Sequence, residues 1–336
     1  MKTILITGGA GFMASNFARY LLKKYEDYKI IIVDALTYAG SMENIPEHEC
    51  VEFWYGDVRN ADLIGSLMPK VDVVAHFAAE THVTRSIFDN KIFFETDVMG
   101  TQCIANAVLK NKNVKRFIHI STSEVYGTAI DEQMDEEHPL NPMSPYAAAK
   151  AGADRLVYSY HQTYGIPATI IRPFNNYGPS QHLEKVVPRF ITSCLLDEPL
   201  TVHGMGTAKR DWLFVEDLAK AVDAAIHSPK DLNGEVINVG TGRDIDVMSI
   251  AEKICDVMGK PRSLISNVGE RPGQVSRHTS STQKANEFLD WKATVSFEEG
   301  ISRTIQWYIE NKEWWERILW LRQVPIVTKD GEKEFH

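Results

Sequence analysis

The sequence predicts an α/β fold in which a doubly wound parallel sheet is followed by a smaller α/β domain. Short apolar runs, typical of strands buried on both faces, alternate with longer segments at helical spacing. A glycine-rich turn joins the first apolar run to the first helical segment. After about residue 172 this alternation gives way to turn-rich loops in which cations cluster.

The glycine-rich turn has the form of a phosphate-binding loop. An apolar run at 3–7 precedes the loop GGAGFMA at 8–14, and a helix is predicted at 15–24. Gly8 permits the tight turn, and Gly11 permits the close approach of a pyrophosphate at the helix N-terminus. The predicted cofactor contacts in this loop are Gly8, Gly11, Phe12 and Met13.

The next strands supply the rest of a dinucleotide site. The run at 30–33 ends in Asp34, about 20 residues beyond the loop, where a ribose-binding carboxylate is expected. No arginine follows Asp34, which favours NAD over NADP. Strands are predicted at 51–53 and 71–79, and Asp57 between them either contacts adenine or caps a helix at 60–68. The further predicted cofactor contacts are Asp34, Asp57, Val58 and Ala78.

A candidate catalytic triplet follows the fifth predicted strand. A long helix is predicted at 88–109, and the strand at 115–120 comes next. Thr122-Ser123-Glu124 lies where this strand ends, which is the active-site edge of a parallel α/β sheet.

Tyr146 and Lys150 lie four residues apart at the start of a helix predicted at 147–161, so they share one helix face. A lysine ammonium beside a phenol favours the phenolate, so we expect Lys150 to lower the pKa of Tyr146 toward the working pH. Such a tyrosine can take a proton from a sugar or alcohol hydroxyl. Two other Tyr-x-x-x-Lys matches, Tyr20/Lys24 and Tyr25/Lys29, are interpreted as chance pairs on a charged surface helix.

The second half of the chain supplies candidate substrate contacts. A sixth strand is predicted at 169–172, after which basic residues collect in loops. Because guanidinium forks suit phosphate oxygens, these cations are predicted to hold a diphosphate. We predict a cofactor domain at 1–172 with returning segments near 211–240, and a substrate domain at 173–210 and 241–325. The predicted substrate contacts are His82, Asn175, Lys185, Arg210, Arg271 and Arg277.

Composition excludes several other classes of protein. A chain of 336 residues with 44% hydrophobic residues can bury a large core, and its net charge of −9 argues against a nucleic-acid surface. The 11 histidines form no HxxxH or HExxH pair, so no metal site is predicted. No apolar run approaches the roughly 20 residues of a membrane helix, and the N-terminus enters a strand directly, without a signal peptide. Four scattered cysteines are typical of a reduced cytoplasmic protein.

These motifs together resemble the extended short-chain dehydrogenase/reductase family, within it the nucleotide-sugar 4,6-dehydratases typified by dTDP-glucose 4,6-dehydratase. The resemblance covers residues 1 to about 315. It implies a Rossmann domain with bound NAD, a C-terminal sugar-nucleotide domain and a homodimer built from a four-helix bundle. The segments that carry it are 7–12, 34–40, 76–82, 146–150, 175–179, 184–185 and 210–217.

On this basis we hypothesise a dehydratase mechanism. Tyr146 takes the proton of the sugar 4-hydroxyl, Lys150 lowers its pKa and holds the nicotinamide ribose, and Thr122 hydrogen-bonds the 4-oxygen. Glu124 then removes the C5 proton, water leaves from C6, and hydride returns from NADH to C6, so NAD is regenerated within one turnover. Serine is a poor proton donor near neutrality, so Ser123 is expected only to hydrogen-bond, with Glu124 passing its proton to the leaving hydroxyl.

The chain departs from the dTDP-glucose enzymes, and this leaves alternatives open. Those enzymes carry Thr-Asp-Glu at the triplet, aspartate where Thr84 stands, and His-Asp where Gln274-Val275 stands. A UDP-glucuronate decarboxylase would use a cation such as Arg277 for the sugar carboxylate. A 4-epimerase does not require Glu124 for its reaction. A catalytically silent NAD-binding sensor would not require any of the catalytic residues Thr122, Glu124, Tyr146 and Lys150.

Overall fold

The computed structural model describes residues 2–270, 273–327 and 333–335. The strands are β1 Lys2–Thr7, β2 Tyr28–Asp34, β3 Val51–Tyr55, β4 Val73–His76, β5 Arg116–Ile120, β6 Ala168–Pro173, β7 Asn175–Tyr177, β8 Leu200–His203, β9 Lys209–Phe214, β10 Val236–Val239, β11 Asp244–Asp246, β12 Ile265–Val268, β13 Arg277–His278, β14 Pro325–Val327 and β15 Lys333–Phe335. The helices are α1 Phe12–Lys24, α2 Ala61–Leu67, α3 Val83–Phe88, α4 Lys91–Phe93, α5 Thr101–Lys110, α6 Pro145–Tyr164, α7 Val186–Leu196, α8 Val215–His227, α9 Val247–Met258, α10 Gln283–Leu289, α11 Phe297–Glu310 and α12 Lys312–Glu316.

The largest sheet has seven parallel strands in the order β10-β6-β5-β4-β1-β2-β3. The chain runs outward from β1 through β2 to β3, then returns to lie on the other side of β1 at β4. This reversal creates a crevice outside the carboxyl ends of β1 and β4, where ligands bind in open α/β sheets. The predicted doubly wound parallel fold is confirmed.

Both faces of this sheet are buried, which explains the continuous apolar runs of its strands. On one face the strands pack against α1 and α8, and on the other against α2, α5 and α6. Each Ile or Leu side chain buried in these layers stabilises the fold by about 1.5–3 kcal/mol.

Smaller sheets follow the large one. Strand β9 lies between β11, which is antiparallel to it, and β13, which is parallel, and it also pairs with β7. Strand β8 pairs with β12 in a separate two-stranded sheet. A third apolar core joins these strands to α7, α9 and α11.

The predicted long helix at 88–109 is interrupted. The structure has α4, then a π-helix at Phe94–Gly100, then α5, while α3 is a separate helix that ends at Phe88. A π-turn admits one extra residue per turn and is frequent at functional sites. It turns Asp97 into the protein interior, where it is 1% exposed.

The two extra Tyr-x-x-x-Lys matches have a structural role that the sequence interpretation missed. Lys24 Nζ donates to Asp223 Oδ2 (2.6 Å), and Tyr20 and Tyr25 also donate to this carboxylate on α8. Lys29 pairs with Glu52 on the neighbouring strand. These side chains tie α1 to α8 and β2 to β3, at a distance from the crevice.

Candidate active site

A cavity of about 490 Å³ lies at the carboxyl edge of the large sheet and is lined by residues from both halves of the chain. It brings together every predicted site residue that the structure describes except Arg277. Those lining residues are Gly8, Gly11, Phe12, Met13, Asp34, Asp57, Val58, Ala78, His82, Thr122, Ser123, Glu124, Tyr146, Lys150, Asn175, Lys185 and Arg210. Arg271 lies outside the described residues.

The glycine-rich loop packs so closely against β4 that a side chain at Gly8 is excluded. Gly8 has φ +70°, and a Cβ there would lie 2.8 Å from the backbone of Ala78. Gly11 is the N-cap of α1 and provides no side-chain cap for the helix. The first N–H groups of α1, from Phe12 and Met13 onward, therefore face the cavity edge without a protein side chain as acceptor, which suits a phosphate.

Asp34 closes the loop onto β2. One carboxylate oxygen accepts the N–H of Ala10 (2.9 Å), and the other accepts the N–H of Leu36 (2.7 Å). Burial raises the pKa of Asp34, and the two backbone N–H groups oppose that rise. A carboxylate has about four lone-pair positions, so two positions stay available to ribose hydroxyls.

Asp57 does not cap α2. Its carboxylate pairs with the guanidinium of Arg59 (2.6 Å), while Asn60 accepts the first N–H groups of that helix. The capping alternative for Asp57 is therefore wrong, and its contact with adenine stays a prediction.

These features fit a dinucleotide with a pyrophosphate and an unphosphorylated ribose. The uncapped helix N-terminus matches the pyrophosphate, and the carboxylate of Asp34 would repel a 2′-phosphate. NAD fits this half of the cavity through Gly8, Gly11, Phe12, Met13 and Asp34.

The catalytic triplet follows the end of β5, as the sequence predicts. Thr122 caps a short 3-10 helix, Ser123–Tyr126, by accepting the N–H of Glu124 at 3.2 Å. This turn places Glu124 at the cavity with 18% of its side chain exposed, whereas Ser123 is only 2% exposed.

Helix α6 places Tyr146 and Lys150 beside this triplet. Ser144 caps the helix and Pro145 occupies its first turn, which fixes where the helix begins. Tyr146 packs edge-on against Phe93, with the ring centroids 6.3 Å apart. Lys150 is buried, and its ammonium donates to the carbonyl of Ile120 at the end of β5 (2.7 Å).

The prediction that Lys150 lowers the pKa of Tyr146 is wrong as stated. Burial raises the pKa of Tyr146, a hydrogen bond from Thr122 opposes the rise, and the charges of Asp97 and Glu124 add to it. Burial also lowers the pKa of Lys150, opposed by Asp97. Desolvation of the phenol therefore has the largest effect on its pKa, and the group that opposes it is Thr122 rather than Lys150.

Asp97 is a buried charged neighbour of Tyr146 and Lys150 that the sequence analysis missed. One of its oxygens accepts the N–H of Glu80 (2.8 Å), and burial raises the pKa of its carboxyl while Lys150 opposes that rise. The sequence did not predict that Asp97 is buried, because the helix predicted at 88–109 was continuous and lacked the π-helix at Phe94–Gly100.

The substrate side of the cavity is built around a buried carboxylate. Burial would raise the pKa of Glu184, but His82, Lys185 and further cations hold it at about 2. Arg85 Nε donates to Glu184 at 2.8 Å, and Lys185 Nζ donates to the carbonyl of Thr81 at 2.7 Å. The contact with Thr81 fixes Lys185 at the rim of the cavity, which His82 also lines.

Two arginines reach the cavity from the substrate half. Arg210 on β9 is 6% exposed and donates to the carbonyl of Lys209 at 2.9 Å. Arg189 on α7 also lines the cavity, and its pKa is lowered to about 10 by burial and by the nearby Arg322. An arginine that is desolvated and lies near a second cation favours an anion beside it.

Arg277 points elsewhere. Its guanidinium donates to Asp244 Oδ2 (2.9 Å) and to the carbonyl of Glu132 (2.6 Å). It does not line the described cavity, whereas the next residue, His278, lies directly under the catalytic triplet. No sequence motif marked His278, because its position depends on the pairing of β13 with β9.

A parallel sheet with a glycine-rich loop after β1, and with a tyrosine and a lysine four residues apart beside the end of β5, defines the short-chain dehydrogenase/reductase class. The chain belongs to the GDP-mannose 4,6 dehydratase family, whose model matches residues 5–304. This finding confirms the predicted membership of the extended short-chain dehydrogenase/reductases, in the nucleotide-sugar 4,6-dehydratase group.

Relatives of this chain extend over nearly its whole length. The low-salt glycan biosynthesis protein Agl12 of Haloferax volcanii is 41% identical over 316 residues, which cover 92% of this chain and 99% of the relative. A dTDP-glucose 4,6-dehydratase of Streptomyces antibioticus is 39% identical over 318 residues, covering 93% and 94%. Among solved structures, a double mutant of the dTDP-glucose 4,6-dehydratase DesIV from Streptomyces venezuelae with NAD bound is 37% identical, with TM-score 0.90 over 94% of this chain and 99% of that one.

Proposed function

We propose that this chain is an NAD-dependent nucleotide-sugar 4,6-dehydratase, which converts a nucleoside-diphosphate hexose such as dTDP-glucose or UDP-N-acetylglucosamine into its 4-keto-6-deoxy form. The observation that carries the proposal is that Glu124 shares one cavity with Tyr146, Lys150 and Thr122. Such a site has one base, Tyr146, that can take a proton from a hydroxyl group. It has a separate carboxylate, Glu124, that can take a proton from carbon. NAD as cofactor agrees with the solved relative that holds it.

The first half-reaction is oxidation at C4 of the sugar. Bound NAD⁺ supplies the hydride acceptor and a positive charge that favours the Tyr146 phenolate. Tyr146 takes the proton of the 4-hydroxyl, and Thr122, which hydrogen-bonds the same phenol, holds the 4-oxygen. Lys150 holds the nicotinamide ribose while its bond to the carbonyl of Ile120 fixes it against β5.

The second half-reaction is loss of water across C5 and C6. The 4-ketone acidifies the C5 proton, and the Glu124 carboxylate takes this proton as the C5–C6 double bond forms. The C6–O bond breaks, and Glu124 passes its proton to the leaving oxygen, which completes one molecule of water. Ser123 hydrogen-bonds but does not donate this proton. The hydride taken from C4 then returns to C6 and a proton is added at C5, which gives the 4-keto-6-deoxy product.

Substrate binding is assigned to the cations on the other side of the cavity. Arg210, Arg189 and Lys185 hold the diphosphate, and His82 and Asn175 contact the sugar. Arg271 and Arg277 were also predicted here. Because Arg277 is engaged by Asp244, it is not proposed as a diphosphate ligand of the described cavity.

The position of Arg277 also weakens the decarboxylase alternative. That reaction needs a cation for the sugar carboxylate, and Arg277 was the residue invoked for it. Its guanidinium instead pairs with Asp244, outside the described cavity. A 4-epimerase would have no use for the carboxylate of Glu124.

The remaining assignments are the domain division, the assembly and the compartment. We propose that residues 1–172, with segments near 211–240, hold the cofactor, and that 173–210 and 241–325 hold the sugar nucleotide. Exposed apolar side chains along the segment 94–110 and α6, such as Met99 and Tyr158, support a homodimer through these helices.

No helix in the described part of the chain is long and apolar enough to cross a membrane, and the four cysteines are unbridged. We propose a cytoplasmic location.

A panel of sugar nucleotides tests the proposed function. The purified protein is mixed with dTDP-glucose, UDP-glucose, UDP-N-acetylglucosamine, GDP-mannose, CDP-glucose and UDP-glucuronate, and the products are weighed by mass spectrometry. Loss of one water from at least one substrate is expected. Loss of carbon dioxide from UDP-glucuronate would establish the decarboxylase instead, and an isomer of unchanged mass would establish an epimerase.

A further inference from the structure

His278 lies under the catalytic triplet although 155 residues separate it from Ser123 in the chain. Strand β13 pairs with β9 so that His278 is the register partner of Arg210. The imidazole is fully buried, with an exposed fraction of 0%, and packs edge-on against Phe174. It is therefore held by the fold rather than by a mobile loop.

The hydrogen bonds of His278 fix the position of its proton. Its Nε2 lies 2.7 Å from the carbonyl oxygen of Gly127, which can only accept, so Nε2 carries a hydrogen. Its Nδ1 lies 3.3 Å from Ser123 Oγ and 3.9 Å from Glu124 Oε1. Burial lowers the pKa of His278, opposed by Glu124, and the charge of Arg210 lowers it further.

In the neutral imidazole Nδ1 has a lone pair and no hydrogen. Ser123 is almost completely buried, so its hydroxyl hydrogen has a defined acceptor in Nδ1. The Ser123 oxygen then offers only lone pairs to its other neighbours. A serine fixed in this way cannot donate its proton to a leaving group.

We propose that His278 is a positioning residue for the elimination step, which holds Ser123 as a hydrogen-bond acceptor and leaves Glu124 as the proton carrier between C5 and the leaving oxygen. This rests on the proposed dehydratase function. Within the elimination step the protons balance without a second acid: Glu124 gains the C5 proton, loses it to the C6 oxygen as water departs, and returns to the carboxylate form. The proton added later at C5 balances the one that Tyr146 removes from the 4-hydroxyl. His278 and Ser123 end the step as they began it.

Two substitutions separate the two hydrogen bonds of His278. In His278→Gln the side-chain amide reaches the position of Nε2, so it can still donate to the carbonyl of Gly127 but offers no acceptor to Ser123. In His278→Asn the amide oxygen reaches the position of Nδ1, so the acceptor for Ser123 is kept. Both variants are compared with Ser123→Ala and with the double variant Ser123→Ala/His278→Gln.

The first readout needs no substrate. In the full-length protein, ¹⁵N NMR of histidine should show His278 with hydrogen on Nε2 and an unprotonated Nδ1, whose resonance shifts in Ser123→Ala. A hydrogen on Nδ1 of the neutral His278 imidazole would overturn the proposal. So would an Nδ1 resonance that does not respond to Ser123→Ala.

The second readout separates the two half-reactions with the substrate found in the panel. In His278→Gln the formation of reduced nicotinamide should keep its wild-type rate, while water loss slows about 3- to 10-fold, the equivalent of one neutral hydrogen bond. His278→Asn should recover most of the lost rate. In the Ser123→Ala background, His278→Gln should change the rate of water loss by less than about twofold, because its partner is already absent.

The outcomes distinguish this proposal from the proposed function. If both half-reactions slow equally, or if the effects of Ser123→Ala and His278→Gln multiply independently, His278 only supports the fold and the proposal fails. If the wild-type protein dehydrates none of the sugar nucleotides, the proposed function fails, while the NMR result still decides the orientation of the Ser123–His278 pair.

Discussion

The two walls of the cavity are built in different ways. The cofactor wall consists of the ends of neighbouring strands in one sheet, and its key contacts, at Gly8, Gly11 and Asp34, involve backbone atoms of the loops that follow those strands. The substrate wall is assembled from α3, β7, α7 and β9, so its side chains meet across large sequence separations. Arg85 and Glu184 are 99 residues apart, and Ser123 and His278 are 155 apart.

This difference has a physical consequence. A binding site formed by backbone atoms accepts any ligand with the right phosphate and ribose geometry. Side chains fixed by long-range contacts instead determine which substrate binds and how fast it reacts. Substitutions in the cofactor wall should therefore reduce NAD affinity. Substitutions at the junction of the two walls, where Glu124 and Tyr146 lie, should reduce the rate of the chemical steps.

Tyr146→Phe affects the junction of the two walls and should have the largest effect. It removes the base for C4 oxidation, so kcat should fall by about 10²–10⁴. Because burial raises the pKa of Tyr146, the wild-type rate should rise with pH as the phenol loses its proton. The variant should lose this rise, measured as a pH–rate profile; a profile identical to the wild type would assign the base to another group.

Arg210→Ala should act on substrate binding, with Arg277→Ala as its matched control. Arg210 lines the cavity, while Arg277, one strand away, is engaged by Asp244. Loss of a charge-assisted contact to the diphosphate should raise KM about 10- to 100-fold and change kcat little. The control should keep KM within about threefold. A collapsed kcat at normal KM would place Arg210 in the chemistry, and equal effects of both variants would remove the special role of Arg210.

Asp34→Ala should have the smallest effect on chemistry and act on the cofactor wall. It should weaken NAD binding about tenfold, measured by calorimetry, because the ribose loses its carboxylate partner. Since Asp34 is buried and accepts two backbone N–H groups, the variant should also melt at a lower temperature. Unchanged NAD affinity would contradict the assignment of Asp34 to the ribose.

The same difference explains what could be predicted from the sequence. The parallel sheet follows from the apolar runs, and the dinucleotide loop follows from the spacing of Gly8, Gly11 and Asp34, because each pattern is local. The clustering of Thr122, Glu124, Tyr146 and Lys150 on one cavity was expected from the strand end and the helix face.

Side-chain environments that depend on tertiary packing could not be predicted in this way. The pKa of Tyr146 depends on how deeply the phenol is buried, and Asp97 turns inward only because a π-helix replaces the expected helical turn. The sequence does not show that Arg210 lines the cavity while Arg277 does not. It also does not show that His278 lies next to Ser123. Those positions are set by the pairing of β9 with β11 and β13.

The most direct test of the central claim is the absorbance of reduced nicotinamide in Glu124→Gln, recorded on rapid mixing with the substrate that the wild type dehydrates. Glutamine keeps the shape of the side chain but cannot accept the C5 proton. C4 oxidation should therefore proceed, reduced cofactor should accumulate on the protein, and no 6-deoxy product should form. The exposed residue Glu132 provides the control, and Glu132→Gln should turn over as the wild type does. If Glu124→Gln releases product at the wild-type rate, Glu124 is not the base and the dehydratase mechanism is contradicted.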